Sequence, residues 1–386
     1  MFRPSTATDS YSSSTADASL LNPTLSSTSF YQRSIAKLSI PARLGVGVVS
    51  LGIVAGIAAG IISNTQKQQP SSSDLCVYSD YRLPSNIFIP SSYRISWNPP
   101  FTSPFIYTGN VSINLTITQN VNCILIHSGA DLEYSSITYT TPTSLQPNSI
   151  SYTKDVINER IILKKPFQAG SQVTLSFSYK APLRTNNNGL YLSTYKDDYG
   201  KTVNVTATQF EATAARQAFP CFDKPNYKAI FTLSVSNVPI GYTALSNMPN
   251  TSVIFDSNTM TSTVLFQSTP KLSTYLLALV VAPLISDCGI YNGNKPICAF
   301  GVNRAGTVGK LTFARKVAEL IIPFYENKFG LLLPLPKMDM VAIPDFAAGA
   351  MENMGLITYR ETALLAAENI SSASELQRVS VVVSHE

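Results

Sequence analysis

Histidine is the scarcest reactive residue here, with two in 386 residues, His127 and His385. That excludes a three-histidine metal centre. Charge is also sparse: Asp, Glu, Lys and Arg make up 13% of the chain, and the net charge is +5. No basic cluster or arginine stripe accompanies that excess, so nucleic acid is not an expected partner. Cysteine is limited to five, an odd number that leaves at least one thiol unpaired. No internal repeat occurs, which excludes a solenoid. Apolar residues reach 45%, enough for large cores, and the length suits two or three domains.

The longest stretch without charge is Leu44–Ile62, "LGVGVVSLGIVAGIAAGII". As a helix it spans roughly 28 Å, about one hydrocarbon core. A cleaved signal peptide is the weaker alternative, because the preceding segment and the apolar run are both too long. Arg33, Lys37 and Arg43 precede the span and Lys67 alone follows closely. The positive-inside rule then puts residues 1–43 in the cytosol, as a disordered Ser/Thr-rich tail, and the rest outside. The expected location is the plasma membrane, in single-pass type II orientation, with the lipid bilayer as a partner.

Two features agree with an outside location. The sequons at Asn110, Asn114, Asn204, Asn250 and Asn369 all follow the span, and are expected on loops. All five cysteines, 76, 123, 221, 288 and 298, lie on the same side. Cys288 and Cys298 could close a short loop, but sequence does not give connectivity.

Residues 63–80 read as a polar stalk. From 81 to 285 the chain alternates as short strands, for example Val111, Ile113, Leu115 and Ile117 on one face, which predicts a large β-sandwich or saddle. From 286 to 386 the pattern changes. Leu311, Ala314, Val317, Ala318, Ile321 and Ile322 fall near helical spacing, closed by Gly330. A short strand is expected at Met338–Ile343. Ser372 and Glu375 form a capping-box pattern before Leu376, Val379 and Val383. The β-branched run Val381–Val383 leaves a strand open as the alternative.

His127 follows an apolar strand and reads as structural. His385 and Glu386, "HE", are half of an H-E-x-x-H zinc-peptidase motif. The dipeptide alone carries no weight. Its company does: "GAMEN", Gly349 to Asn353, lies about thirty residues upstream, followed by "GLITYRE". Farther upstream is "TATQFEATAARQAFPCFDKP". These segments, with "RLPSNIFIPSSYRISWNP" and "LSTYLLALVV", resemble the aminopeptidase N family of zinc metallopeptidases from about residue 80 to 386. Lys224 and Met354 depart from that family's usual Glu and Trp.

The resemblance implies a β-saddle domain followed by the start of an α+β thermolysin-like domain, and a metallo-aminopeptidase acting on peptides with a free N-terminus. It implies zinc, with His385 as a ligand and Glu386 as general base. It implies a substrate site made by Gln209, Glu211, Gly349, Ala350, Met351, Glu352 and Asn353. A carboxylate pair, Glu211 and Glu352, would hold the α-ammonium by charge-assisted hydrogen bonds. The resemblance admits a homodimer. The remaining zinc ligands of the family are not present, so the chain is expected to be an N-terminal portion and inactive alone. The alternative is a shortened ectodomain serving as a binding or decoy protein.

Overall fold

The computed structural model describes residues 83–386. The tail, the apolar span Leu44–Ile62 and the stalk lie outside the described residues. Among those described, no helix is long and apolar enough to cross a membrane. The described part is mainly β, with helices gathered near its C-terminal end.

The largest sheet has eight strands. Its centre is Phe88–Asn98, which pairs in parallel with Ile230–Pro239 on one side and antiparallel with Ile106–Ile117 on the other. Strict alternation gives this sheet one buried and one solvent-facing side: Tyr93, Ile95 and Trp97 point in, as do Val111, Ile113 and Leu115. The buried side is aromatic. Tyr93 stacks on Phe231 at 4.7 Å, and Trp97 meets Phe219 edge-on at 5.8 Å. The polar tips are satisfied: Trp97 Nε1 donates to the Tyr179 hydroxyl at 3.0 Å, and the Tyr107 hydroxyl donates to Ala218 O at 2.8 Å. This core therefore grips the irregular segment 210–223 between two strands.

A four-stranded sheet follows in the order Thr243–Ser246, Leu279–Ala282, Thr202–Gln209, Gly189–Lys196. A five-stranded sheet runs Leu284–Tyr291, Lys295–Val302, Met338–Ile343, Leu356–Arg360, Ala350–Met351. Its outer hairpin carries the Cys288–Cys298 disulfide, which joins residues directly opposite each other on adjacent strands. Cys123 is also disulfide-bonded, and Cys221 is a free, buried thiol.

Two long helices complete this end. The first, α1, is Thr312–Phe329, with Gly330 in the left-handed region at φ 66° as its C-cap. The second, α2, is Ala373–His385. The β-branched run at its end does not make it a strand, because the capping box forms: Ser372 Oγ accepts from Glu375 N at 3.3 Å and Glu375 accepts from Ser372 N at 2.7 Å. Val379 and Val383 then bury against the same core as Ala314, Ala318 and Tyr359.

Candidate active site

The strand Thr202–Gln209 ends at Gln209, and Glu211 follows in an open turn. A 3-10 turn, Ala215–Gln217, comes next. Its Arg216 forms a buried ion pair with Asp223: Nε donates to Oδ2 at 3.0 Å and Nη2 to the Asp223 carbonyl at 3.1 Å. The other carboxylate oxygen accepts from Thr274 Oγ1 at 3.1 Å. Burial raises the Asp223 carboxyl above its ordinary range, and Arg216 pulls it back. One carboxylate thus ties the Glu211 segment to the 3-10 turn Thr274–Leu276, which carries Tyr275. His127 belongs to this scaffold, since its Nδ1 accepts from Asp223 N at 3.1 Å. The Cys221 thiol is raised by burial, which suits an inert core thiol.

The "GAMEN" segment is held from both sides. Tyr191 donates to Asp345 O at 3.1 Å, and Thr194 N donates to Asp345 Oδ2 at 2.9 Å. Arg360 clasps the carbonyls of Phe346 and Ala347 at 3.1 and 2.6 Å. Beyond the segment the chain turns at Gly355, φ +79°, where a Cβ would stand 2.2 Å from Asn247 O. Asn247 Nδ2 donates to Met354 O and to Leu276 O at 2.9 and 2.7 Å. It therefore locks this turn to the one carrying Tyr275. Of the two departures from the family pattern, Met354 packs on the main core and Lys224 Nζ donates to Leu83 O and Ser85 Oγ.

These supports bring the acidic residues together. The Glu386 carboxyl is raised above its ordinary range by burial first, then by the charges of Glu352 and Glu211, with His385 opposing. Burial and the same two carboxylates raise the Tyr275 hydroxyl. Gln209 Oε1 is buried with no hydrogen-bond partner among the described residues. Glu211, Glu352 and His385 are exposed. Ala350–Met351 forms the edge of the five-stranded sheet. The Met351 and Asn353 side chains turn inward instead: Met351 is 1% exposed, and Asn353 Nδ2 donates to Thr358 Oγ1 at 3.1 Å. Tyr275 was not singled out from sequence, although "LSTYLLALVV" carries it; its place depends on Thr274 and Asn247, contacts of long range.

Among the described residues, no group of three His, Cys, Asp or Glu side chains is placed to hold a metal ion. A catalytic zinc takes three protein ligands. His385 offers one donor, so these residues do not make a complete zinc site. Next to Glu386 a cavity of about 630 Å³ opens, lined by Ile321, Ile322, Tyr325, Leu333 and Val383.

The described residues thus form a mainly β part followed by a smaller α/β part, with the charges of Glu211 and Glu352 acting on Glu386. Residues 89–276 match the peptidase M1 N-terminal domain and residues 313–386 the peptidase family M1 domain. Aminopeptidase N of Bos taurus is 35% identical over 325 residues, 79% of this chain and 33% of the relative. Endoplasmic reticulum aminopeptidase 1 of Rattus norvegicus is 34% identical over 331 residues, 84% and 34% of the two chains. Aminopeptidase M1 of Arabidopsis thaliana is 36% identical over 320 residues, 79% and 34%. The chain belongs to the aminopeptidase N family of metallo-aminopeptidases, peptidase family M1. It spans about a third of the length of the curated relatives it matches.

Proposed function

We propose that the whole protein is a membrane-anchored zinc aminopeptidase that removes N-terminal residues from peptides outside the cytosol. Its β-saddle would occupy residues 81–285, with a thermolysin-like catalytic part starting near 286. The observation that carries this reading is that the charges of Glu352 and Glu211 both act on Glu386 and on Tyr275, while Gln209, two residues before Glu211, has a buried Oε1 with no hydrogen-bond partner among the described residues. Glu211 and Glu352 form no ion pair among the described residues, and together with an acceptor that lacks a donor they suit a ligand that brings both charge and N–H groups. A free α-ammonium brings both.

The substrate backbone would add to the edge strand Ala350–Met351, with Gly349 leaving room for close approach. Glu211 and Glu352 would grip the amine, which places the first peptide bond over Glu386. A carboxyl raised toward neutrality suits proton transfer, so Glu386 would take a proton from the attacking water and return it to the leaving amine. His385 would share zinc with donors outside the described residues.

The purified whole protein is expected to release the first residue of peptides with free N-termini and to leave N-acetylated copies intact. Equal cleavage of the acetylated peptides would overturn the reading. The 386-residue chain by itself is expected to bind no stoichiometric zinc, since one imidazole does not compete with water and other chelators. Elemental analysis after dialysis checks this; a 1:1 zinc content removed by His385→Ala would refute it.

A further inference from the structure

Four of the five sequons lie on strands rather than loops: Asn204 on Thr202–Gln209, Asn250 at the start of Asn250–Asp256, and Asn110 and Asn114 in the largest sheet. Asn110 and Asn114 sit in mid-strand on Ile106–Ile117, second from the parallel junction of the eight-stranded sheet. Residues 110, 112, 114 and 116 share one face of the strand by its period of two. Both asparagines and both sequon hydroxyls, Ser112 and Thr116, therefore stand on the solvent side, opposite the buried Val111, Ile113 and Leu115. Four residues of strand separate the two asparagines by about 13 Å.

That face is paved with small polar groups. Asn110 lies opposite Ser96 and Ser178, and Asn114 opposite Ser92 and Thr174. Ser178 Oγ donates to Asn110 Oδ1 at 2.8 Å, and Thr174 Oγ1 donates to Asn114 Oδ1 at 2.6 Å. These bonds hold both carbonyl oxygens. Among the described residues the Asn110 nitrogen has no acceptor, and Asn114 Nδ2 donates one of its two hydrogens to Ser92 Oγ at 3.0 Å. Each nitrogen keeps a hydrogen to lose. Each asparagine also opens into its own hollow. The one at Asn114 is about 520 Å³, with Thr116, Thr140 and Gln172 in its wall. The one at Asn110 is about 360 Å³, with Glu133, Ser135 and Lys180. Both volumes fall in the range of small-molecule sites.

Asn204 differs. It is half-buried, and its amide donates inward to Phe101 O at 2.8 Å. Phe101 in turn packs edge-on against Tyr242 at 5.1 Å. A sugar there would displace that loop. Asn250 and Asn369 are exposed.

We propose that Asn110 and Asn114 both carry N-linked glycans, whose first sugars seat in these two hollows and cover the open face of the eight-stranded sheet. The inference rests on the reading that this part of the chain lies outside the cytosol. The donor is a polyprenyl-diphosphate-linked oligosaccharide. The Asn Nδ2–C1 bond forms as the C1–O bond to diphosphate breaks. The polyprenyl diphosphate leaves with that electron pair, and the amide proton passes to solvent. A face covered in this way is closed to a second copy of the chain, so a dimer must use another surface.

The test is expression of the full chain in animal cells, release of glycans by an amidase that converts each occupied Asn to Asp, and peptide mass mapping. Conversion at Asn110 and Asn114, with Asn204 unconverted, is expected. Asn110→Gln and Asn114→Gln should each remove one step of gel mobility, and the double variant two. Conversion at Asn250 or Asn369 with none at Asn110 and Asn114 would overturn the proposal and leave the outside location standing. No conversion anywhere would overturn both. The mapping uses the unaltered chain, so a variant that fails to fold does not affect it.

Discussion

Glu352→Gln in the whole protein is expected to abolish most activity on free N-termini while folding and metal content survive. The change keeps shape and removes charge. Once substrate covers the site, the α-ammonium would be left with Glu211 as its remaining carboxylate partner. Truncating one member of such a desolvated pair costs about 2–5 kcal/mol. In kcat/KM that is roughly 30- to 3,000-fold. N-acetylated peptides, poor to begin with, should lose little more. Steady-state kinetics on matched free and acetylated peptides read the difference. Near-normal activity on free N-termini, or loss of metal, would reassign Glu352 as a structural carboxylate.

Lys337→Met is expected to have the largest effect on stability. Lys337 and Asp339 are 8% and 5% exposed, and their charges meet at 2.6 Å. Burial lowers the ammonium and raises the carboxyl, each held back by the other. Lys337 Nζ also donates to Ser246 O at 2.9 Å and Gly355 O at 2.6 Å. It therefore fastens the turn after "GAMEN" to the four-stranded sheet. Removing it strands a buried carboxylate and takes a donor from two carbonyls, at a cost of about 3–5 kcal/mol. In a chain of this size the drop in Tm is on the order of 10 °C. Lys337→Met with Asp339→Leu should recover much of that, because a matched apolar pair leaves no charge unpaired. Calorimetry on both variants decides; a double variant no better than the single one would show that the ion pair is not the source of the loss.

What could be read from sequence was what is local. Alternation gave the faces of the strands, and the Ser372–Glu375 pattern pointed to a helix while Val381–Val383 left a strand open until the box was seen to form. The motif segments named Gln209, Glu211 and Glu352 without showing that they meet. Nothing local marks Asn247, and the segments that carry Tyr275 and Lys337 do not show what those side chains do, because their importance comes from partners far along the chain. Gly355 looks like any turn glycine until the carbonyl of Asn247 is seen where its Cβ would be. Sequons were expected on loops because exposure is usual there; mid-strand exposure at Asn110 and Asn114 required knowing which face of the sheet was open. The Cys288–Cys298 pairing needed the hairpin register.

The parallel pairing of Tyr93 with Phe231 bears on how the chain is made. Ribosomes deliver residues in order, so Phe88–Asn98, Ile106–Ile117 and Gln172–Pro182 can zip together while Ile230–Pro239 has not yet been synthesised. Through that interval one flank of the first strand shows bare N–H and C=O groups, beside Tyr93 and Trp97 without their final neighbours. An unpaired edge of this kind recruits other chains. Nascent chains halted before Ile230–Pro239 has cleared the ribosome's exit tunnel should therefore depend on chaperones far more than those halted after it has emerged, and slower decoding within that window should lower yield without altering the finished fold.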